Sequence, residues 1–462
     1  MTTPGGPGLA RVTVAAPTRR MDLALPDDML VAELLPHLLR HAGPDLGEGA
    51  WVLRRATGAR LEPGRNLATQ GVRDGELLHL DPAREDWPEL AYDDVAEVIA
   101  NGSRSAARSW TPAATRICGL VVTASALLTG IAGLVANGSP WRVTAVIALA
   151  VAVVLALLGI LLSRAFHDPS AGSVVAAAGL PYAFFGGAWL LTDPEAGFLG
   201  IGATGVLLGA VVLLVLSAIG YSGAGGLTRL FVAGLAAGLT GVLAAVLDLA
   251  GLSSPGAAAV VLTVVIGLLP AYPMLAGRLG RLPFPELPNK PEDVLKDTPM
   301  PRRSDVFAAV ARAGEVLTGF LISAAVCSAV AMTYLAVAGP SLSAVLLMIA
   351  AIAALLLRAR LLHTPAQRVP LLVAGLAGLA GIGFGAVVTG AIPGVALLAG
   401  ALLVAGFALP AAVVFSRKPP SPYLGRAADI LDVVAIMALI PLACGVIGLY
   451  EDIRGLFAAI GG

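Results

Sequence analysis

Apolar segments of about 20 residues recur eleven times between Thr115 and Tyr450, and that repetition limits the fold more than any other feature of the chain. A helix needs roughly 20 residues to cross a hydrocarbon core about 30 Å thick. The segments fall near Thr115 to Ala136, Trp141 to Leu162, Ala171 to Leu191, Gly197 to Gly220, Leu227 to Leu249 and Gly256 to Leu279. Five more follow, near Val316 to Ala338, Leu342 to Leu362, Val369 to Thr389, Gly394 to Phe415 and Ile430 to Tyr450. Only 13% of the 462 residues are charged and 57% are hydrophobic, whereas a water-soluble domain carries roughly 25% charge. The sequence therefore predicts an α-helical polytopic membrane protein of about eleven spans.

The connections set its orientation, because Lys and Arg are retained on the cytoplasmic side. Alternate connections hold fifteen of them: Arg164; Arg229; Arg278, Arg281, Lys290, Lys296, Arg302, Arg303 and Arg312; Arg358, Arg360 and Arg368; Arg417, Lys418 and Arg426. The opposite set holds only Arg142 and Arg454. The N-terminus is expected inside and the C-terminus outside, which an odd number of spans also requires. The opening residues carry no basic stretch followed by an apolar one, so no cleavable signal peptide is expected.

Ahead of the first span the pattern changes period. Arg11 to Ala15 and Met21 to Leu25 alternate as strands and read as a hairpin. Leu30, Leu34, Leu35, Leu38 and Leu39 form a helical stripe after Asp27 and Asp28, which are expected to cap it. Trp51 to Arg55 and Leu77 to Leu80 read as two further strands, with a turn at Asp74-Gly75. The order ββαββ in about 75 residues fits an N-terminal β-grasp, or ubiquitin-like, domain. Residues 1–8 are expected to be a flexible tail and 9–82 this cytosolic domain. A basic linker follows at 83–112, with an interfacial helix over Leu90 to Ile99 and anchors at Arg104, Arg108 and Trp110. Six spans then occupy 113–280, a cytoplasmic loop 281–315, five spans 316–450 and a periplasmic tail 451–462.

Motifs for chemistry are sparse. A charge at the bilayer centre costs about 2.5 to 3.5 kcal/mol on insertion scales, and the central parts of all eleven segments carry none. Gly200 to Gly205 matches GxGxxG in form, but lacks the strand and βαβ unit a dinucleotide site requires. No GxxxxGK[ST] occurs, and no His or Cys spacing suggests a metal. Cys118, Cys327 and Cys444 read as small apolar packing residues. No cofactor is expected. Thirty basic residues balance thirty acidic ones, so no net field favours nucleic acid.

Small residues form ridges at Gly205 and Gly209, at Gly234 and Gly238, and at Gly375, Gly378, Gly381 and Gly385; these are helix-packing candidates, within the chain or at a dimer seam. Pro181, Pro270, Pro273, Pro410 and Pro441 are expected to break or kink their helices. The last span opens on Tyr423-Leu424-Gly425-Arg426-Ala427-Ala428-Asp429-Ile430-Leu431-Asp432. Asp429 and Asp432 lie one turn apart at what reads as a helix N-terminus, where the macrodipole favours acids and Arg426 is placed to pair with Asp429. Arg302, Arg303, Arg426, Asp429 and Asp432, with Arg104 and Arg108, are the candidate partner-contacting residues.

Taken together, the grasp domain, basic linker, eleven spans, mid-chain loop and the ending YLGRAADILD with GLY resemble EccD, the multi-span component of the actinobacterial type VII (ESX) secretion machinery. The resemblance implies a non-enzymatic inner-membrane subunit that dimerises, encloses a cavity lined by membrane lipids, and docks an EccC-like ATPase through its ubiquitin-like domain, beside EccB-like and EccE-like subunits. The six-plus-five division and kinking prolines leave a secondary transporter of a small molecule as the alternative.

Overall fold

The structure, a computed structural model, describes residues 8–16, 20–42, 51–82, 111–195, 197, 200–283, 302–338, 341–390, 393–417 and 421–460. Arg104, Arg108 and the helix expected over Leu90 to Ile99 lie outside these residues. Two compact units partition the chain, 1–109 and 110–462.

In the first unit, strands β1 (Leu9–Ala15), β2 (Arg20–Pro26), β3 (Trp51–Arg55) and β4 (Leu77–Pro82) form one sheet in the order β2-β1-β4-β3. β1 runs parallel to β4, and the outer pairs are antiparallel. Helix α1 (Val31–Ala42) buries Val31, Leu34, Leu38 and Ala42, a stripe at helical spacing. It joins Val12, Val14, Leu53, Leu61, Leu67, Leu78 and Leu80 in one core. The parallel β1/β4 pair with a helix in the crossover is the β-grasp topology. Gly75, at φ +80°, supplies the left-handed turn before β4, and Asp74 accepts the Arg11 N–H at 2.7 Å to pin that turn to β1. The cap expected from Asp27 and Asp28 is made by backbone instead: the N–H groups of Val31 and Ala32 donate to Arg65 O and Pro63 O at 3.1 and 2.9 Å.

The second unit is helical. Its helices are α2 (Pro112–Asn137), α3 (Trp141–Arg164), α4 (Pro169–Leu190), α5 (Ala203–Gly223), α6 (Thr228–Leu249), α7 (Ser254–Gly267), α8 (Tyr272–Leu279), α9 (Arg303–Val337), α10 (Leu342–Ala359), α11 (Pro365–Thr389), α12 (Gly394–Arg417), α13 (Pro422–Ile447) and α14 (Leu449–Ile460). Among the described residues ten helices are long and apolar enough to cross a membrane, and α7 with α8, bent by 69°, meet the same test only as a pair, giving up to eleven. The bend falls between Gly267 and Tyr272, where Pro270 lacks the N–H that would continue the ladder. Helices α4, α12 and α13 run unbroken through Pro181, Pro410 and Pro441.

Two helices begin earlier than the apolar runs imply. α9 starts at Arg303, not near Val316, because Ala309, Ala313 and Val316 continue its buried stripe upstream. α13 starts at Pro422, where Ser421 Oγ accepts the Leu424 N–H and proline occupies the first turn. Beyond Gly448, at φ +88°, the segment read as a tail forms α14.

Small residues let the backbones approach. A Cβ added at Gly159 would lie 2.6 Å from Gly172 O on α4, and one at Gly187 only 2.8 Å from the Gly209 Cα on α5. Buried side chains form two main clusters. One joins α3 to α6 around Trp189, which stacks on Trp141 at 5.6 Å and on Phe185 at 5.2 Å between ring centres. The other joins α7 to α11 with α13, around Met332, Leu335, Leu347 and Leu439. Large apolar side chains such as Leu157, Val330 and Leu376 face outward, as a chain solvated by hydrocarbon requires.

Candidate functional site

The helix ends that carry the arginines are fastened to one another. Asp432, only 5% exposed, meets the Arg358 guanidinium at 3.1 Å, and Arg360 pairs with Asp429. Arg360 Nη1 also donates to Gly425 O at 3.3 Å. These contacts tie the end of α10 to the first three turns of α13. Three polar atoms of this cluster, Arg358 Nε, Arg360 Nε and Asp432 Oδ1, are buried without a hydrogen-bond partner. The Arg358–Asp432 pair is the desolvated one, and deleting either of its partners strands the other at a cost of about 3 to 5 kcal/mol, whereas Asp429 is exposed.

This corrects the expectation that Arg426 pairs with Asp429. Arg426 is exposed and forms no ion pair among the described residues. Because α13 begins at Pro422, both aspartates lie well inside the helix, beyond the first turn where the macrodipole acts. Their counter-charges come from α10, about 70 positions earlier in the chain.

The same logic recurs across the bundle. Arg116 on α2 reaches Asp168 at 2.5 Å and Ser170 Oγ at 2.6 Å, while Asp168 caps α4 by accepting the Ala171 N–H at 3.1 Å. That amide, with the Ser170 hydroxyl and the Arg116 guanidinium, holds the Asp168 carboxyl below its ordinary value. Arg164 donates to Gly223 O and Ser222 O at 3.2 and 3.1 Å, joining α3 to α5. Arg229 meets Glu315 at 3.6 Å, joining α6 to α9. Residues that sequence reasoning counted only as orientation signals also serve as interhelix clamps.

The glycine ridges face helices of this same chain. A Cβ at Gly205 or Gly209 would crowd Ala188 O or Phe184 O of α4, at 2.8 and 2.5 Å. Gly234 and Gly238 face Ser217 and Leu214 of α5. Gly375 meets Leu356 of α10, and Gly378, Gly381 and Gly385 run along Met332, Thr333 and Ala336 of α9. Arg302 and Arg303 open α9, exposed and without an ion pair among the described residues. The glycines of the GxGxxG match lead into α5, with no strand of the second unit before them among the described residues. Among the described residues no group of three His, Cys, Asp or Glu side chains converges as metal ligands would.

Two apolar helices bury least; α2 only lays Leu127, Ile131, Leu134 and Val135, partly buried, against the α3–α6 cluster. α2 buries none of its side chains. α12 has no buried side chain among those described and packs substantially against no other described element. Sequence reasoning missed Arg358 and Arg360 as site residues and had no means to single out α12. The one available signal was Arg-Ala-Arg closing one span and Asp-x-x-Asp opening another on the same expected side.

A helical bundle with exposed apolar helices, fused to a β-grasp unit, defines a polytopic membrane subunit bearing a ubiquitin-like domain. Residues 115–456 match the family model described as EccD-like transmembrane domain, and residues 9–80 match that of YukD, a protein of the WXG100 protein secretion system. The chain belongs to the EccD family, the multi-span membrane subunits of type VII (ESX) secretion systems that bear a ubiquitin-like domain. It is 29% identical over 484 aligned positions to the ESX-4 secretion system protein eccD4 of two Mycobacterium tuberculosis strains, covering 97% of this chain and 98% of the relative. Its fold is similar to protomer 1 of the ESX-3 core complex, with a TM-score of 0.55 and 23% identity over 96% of this chain and 99% of the other. A chain of the MycP5-free ESX-5 inner membrane complex gives 0.52 and 21%, over 90% and 100%.

Proposed function

We propose that this chain is a structural, non-enzymatic inner-membrane component of a type VII secretion complex. In this reading two copies form a helical membrane scaffold, and the ubiquitin-like unit docks the partner ATPase. The observation that carries it is the pairing, in one chain, of a compact β-grasp unit with a bundle whose α12 packs substantially against no other described element. A transporter that works alone gains nothing from either feature. Family membership supports EccC-like, EccB-like and EccE-like neighbours, and the arginine distribution supports a cytoplasmic N-terminus and an extracytoplasmic C-terminus.

Deleting residues 9–82 provides the test. Membrane insertion should persist, since the bundle has its own cores, while recovery of the ATPase and sister subunits from native membranes is lost. Normal copurification after the deletion would refute docking through this unit.

A further inference from the structure

Helix α14 has two unlike faces. Leu449, Tyr450, Ile453 and Phe457 fall at helical spacing on one side, and all four are exposed. Glu451, Asp452 and Gly455 occupy the other side with Arg454 at the border, exposed as well. Among the described residues α14 packs substantially on α13 alone, which leaves most of the apolar stripe bare.

The depth at which this helix starts follows from α13. Asp429, paired with Arg360, marks the arginine-bearing end of that span. Gly448 lies roughly 28 Å further along the helix axis, at 1.5 Å per residue, and a hydrocarbon core is about 30 Å thick. There the backbone turns left-handed, at φ +88°, and the Gly448 N–H closes on Cys444 O. α14 begins at the next residue, at the opposite edge of the core.

It does not continue the axis of α13. The Tyr450 hydroxyl donates to Pro441 O at 3.0 Å, and its ring lies over Gly445, where an added Cβ would meet Cε2 at 3.7 Å. A straight continuation would carry Tyr450 about 13 Å past Pro441, beyond the reach of its side chain. α14 is therefore folded over at Gly448 with its Tyr450 side turned back towards the span, and Ile453 and Phe457 share that side.

We infer that α14 lies along the membrane surface at the end of α13 opposite the arginine clamp, its stripe of Tyr450, Ile453 and Phe457 sunk at the boundary between headgroups and acyl chains. Lipid is the occupant because the stripe continues the outward apolar surface of α13, where Met437 and Ile440 are exposed. Burial of apolar area supplies the attachment. Glu451 and Asp452 stand in the first turn, where the macrodipole favours acids, and with Arg454 as the single basic residue of the helix no cationic cluster selects anionic headgroups. This surface rests on the membrane reading of the bundle alone and does not depend on the secretion role.

The full-length chain in phosphatidylcholine vesicles, with an environment-sensitive fluorescent amino acid at Phe457 in one version and at Asp452 in another, provides the test. The probe at position 457 should emit to the blue of that at 452 and be quenched several-fold more by lipids brominated near the headgroup end of the acyl chain, since such helices sink about 5 to 10 Å. The probe at 452 should be the one quenched by aqueous iodide. A third version labelled at Ile453 should follow 457, which keeps the test if labelling at 457 disturbs the helix, and adding phosphatidylglycerol should leave all three unchanged. Equal iodide quenching at 452, 453 and 457, or quenching that requires bromines at the bilayer centre, would overturn the assignment.

Discussion

Helices α12 and α13 follow one another in the chain and are close in length and apolarity, yet the bundle treats them oppositely. α13 buries Ala435, Leu439 and Ala443 and is clamped to α10 by two ion pairs. α12 turns Leu398, Leu402, Leu403 and Leu409 outward and packs substantially against no other described element. In water such a difference in burial would separate a core helix from an unstable one. In hydrocarbon both are stable, because each satisfies its backbone internally, and what differs is whether short side chains and paired charges bring a neighbour close. Apolarity places a helix in the membrane; it does not say what the helix packs against.

The largest expected effect falls on the clamp. Arg358→Ala should destabilise the detergent-solubilised chain by about 3 to 5 kcal/mol, read as a lowered thermal midpoint. Leu402→Ala on α12 should change it by less than about 0.5 kcal/mol, the scale of surface substitutions. Equal losses from the two variants would erase the contrast between the helices.

A smaller effect concerns α2, which shares α12's lack of burial but is pinned by Arg116 to Asp168. The Asp168 carboxyl is held below its ordinary value of 3.8, chiefly by the Ala171 amide and then by Ser170 and Arg116. A depressed folded-state pKa means that the stabilisation is present in full above the unfolded value and is lost as pH falls through the folded one. Thermal stability of wild type should therefore hold from neutral pH down to about 4 and drop below it. Asp168→Asn should start lower at neutral pH and show a shallower acid limb, and superimposable pH profiles would show that the pin contributes nothing.

Much of this architecture was legible in the sequence. The spans follow from runs of 20 apolar residues, and the β-grasp from period-two strands around one helical stripe, because both signals are local. Helix starts were less legible: Pro422 to Asp429 is too polar to count as a span, although Ser421-Pro422 already offered a cap and a first-turn proline. The pairings of Arg358 with Asp432 and Arg360 with Asp429 join residues from separate spans, so no local pattern predicts them. Arg426 was the nearer partner in sequence, and it was the wrong one because the helix begins eight residues before the apolar run. That α12 packs substantially against no other described element leaves no trace in its own composition.

The contrast between α12 and α13 is tested most directly in native membranes, with a photo-crosslinking residue placed at Leu402 in one version of the full chain and at Leu439 in another. Leu402 is 64% exposed and Leu439 fully buried. Leu402 is predicted to give adducts with lipid or with a second polypeptide, and Leu439 only adducts within its own chain. Purely intrachain adducts at Leu402, or intermolecular ones at Leu439, would contradict the account.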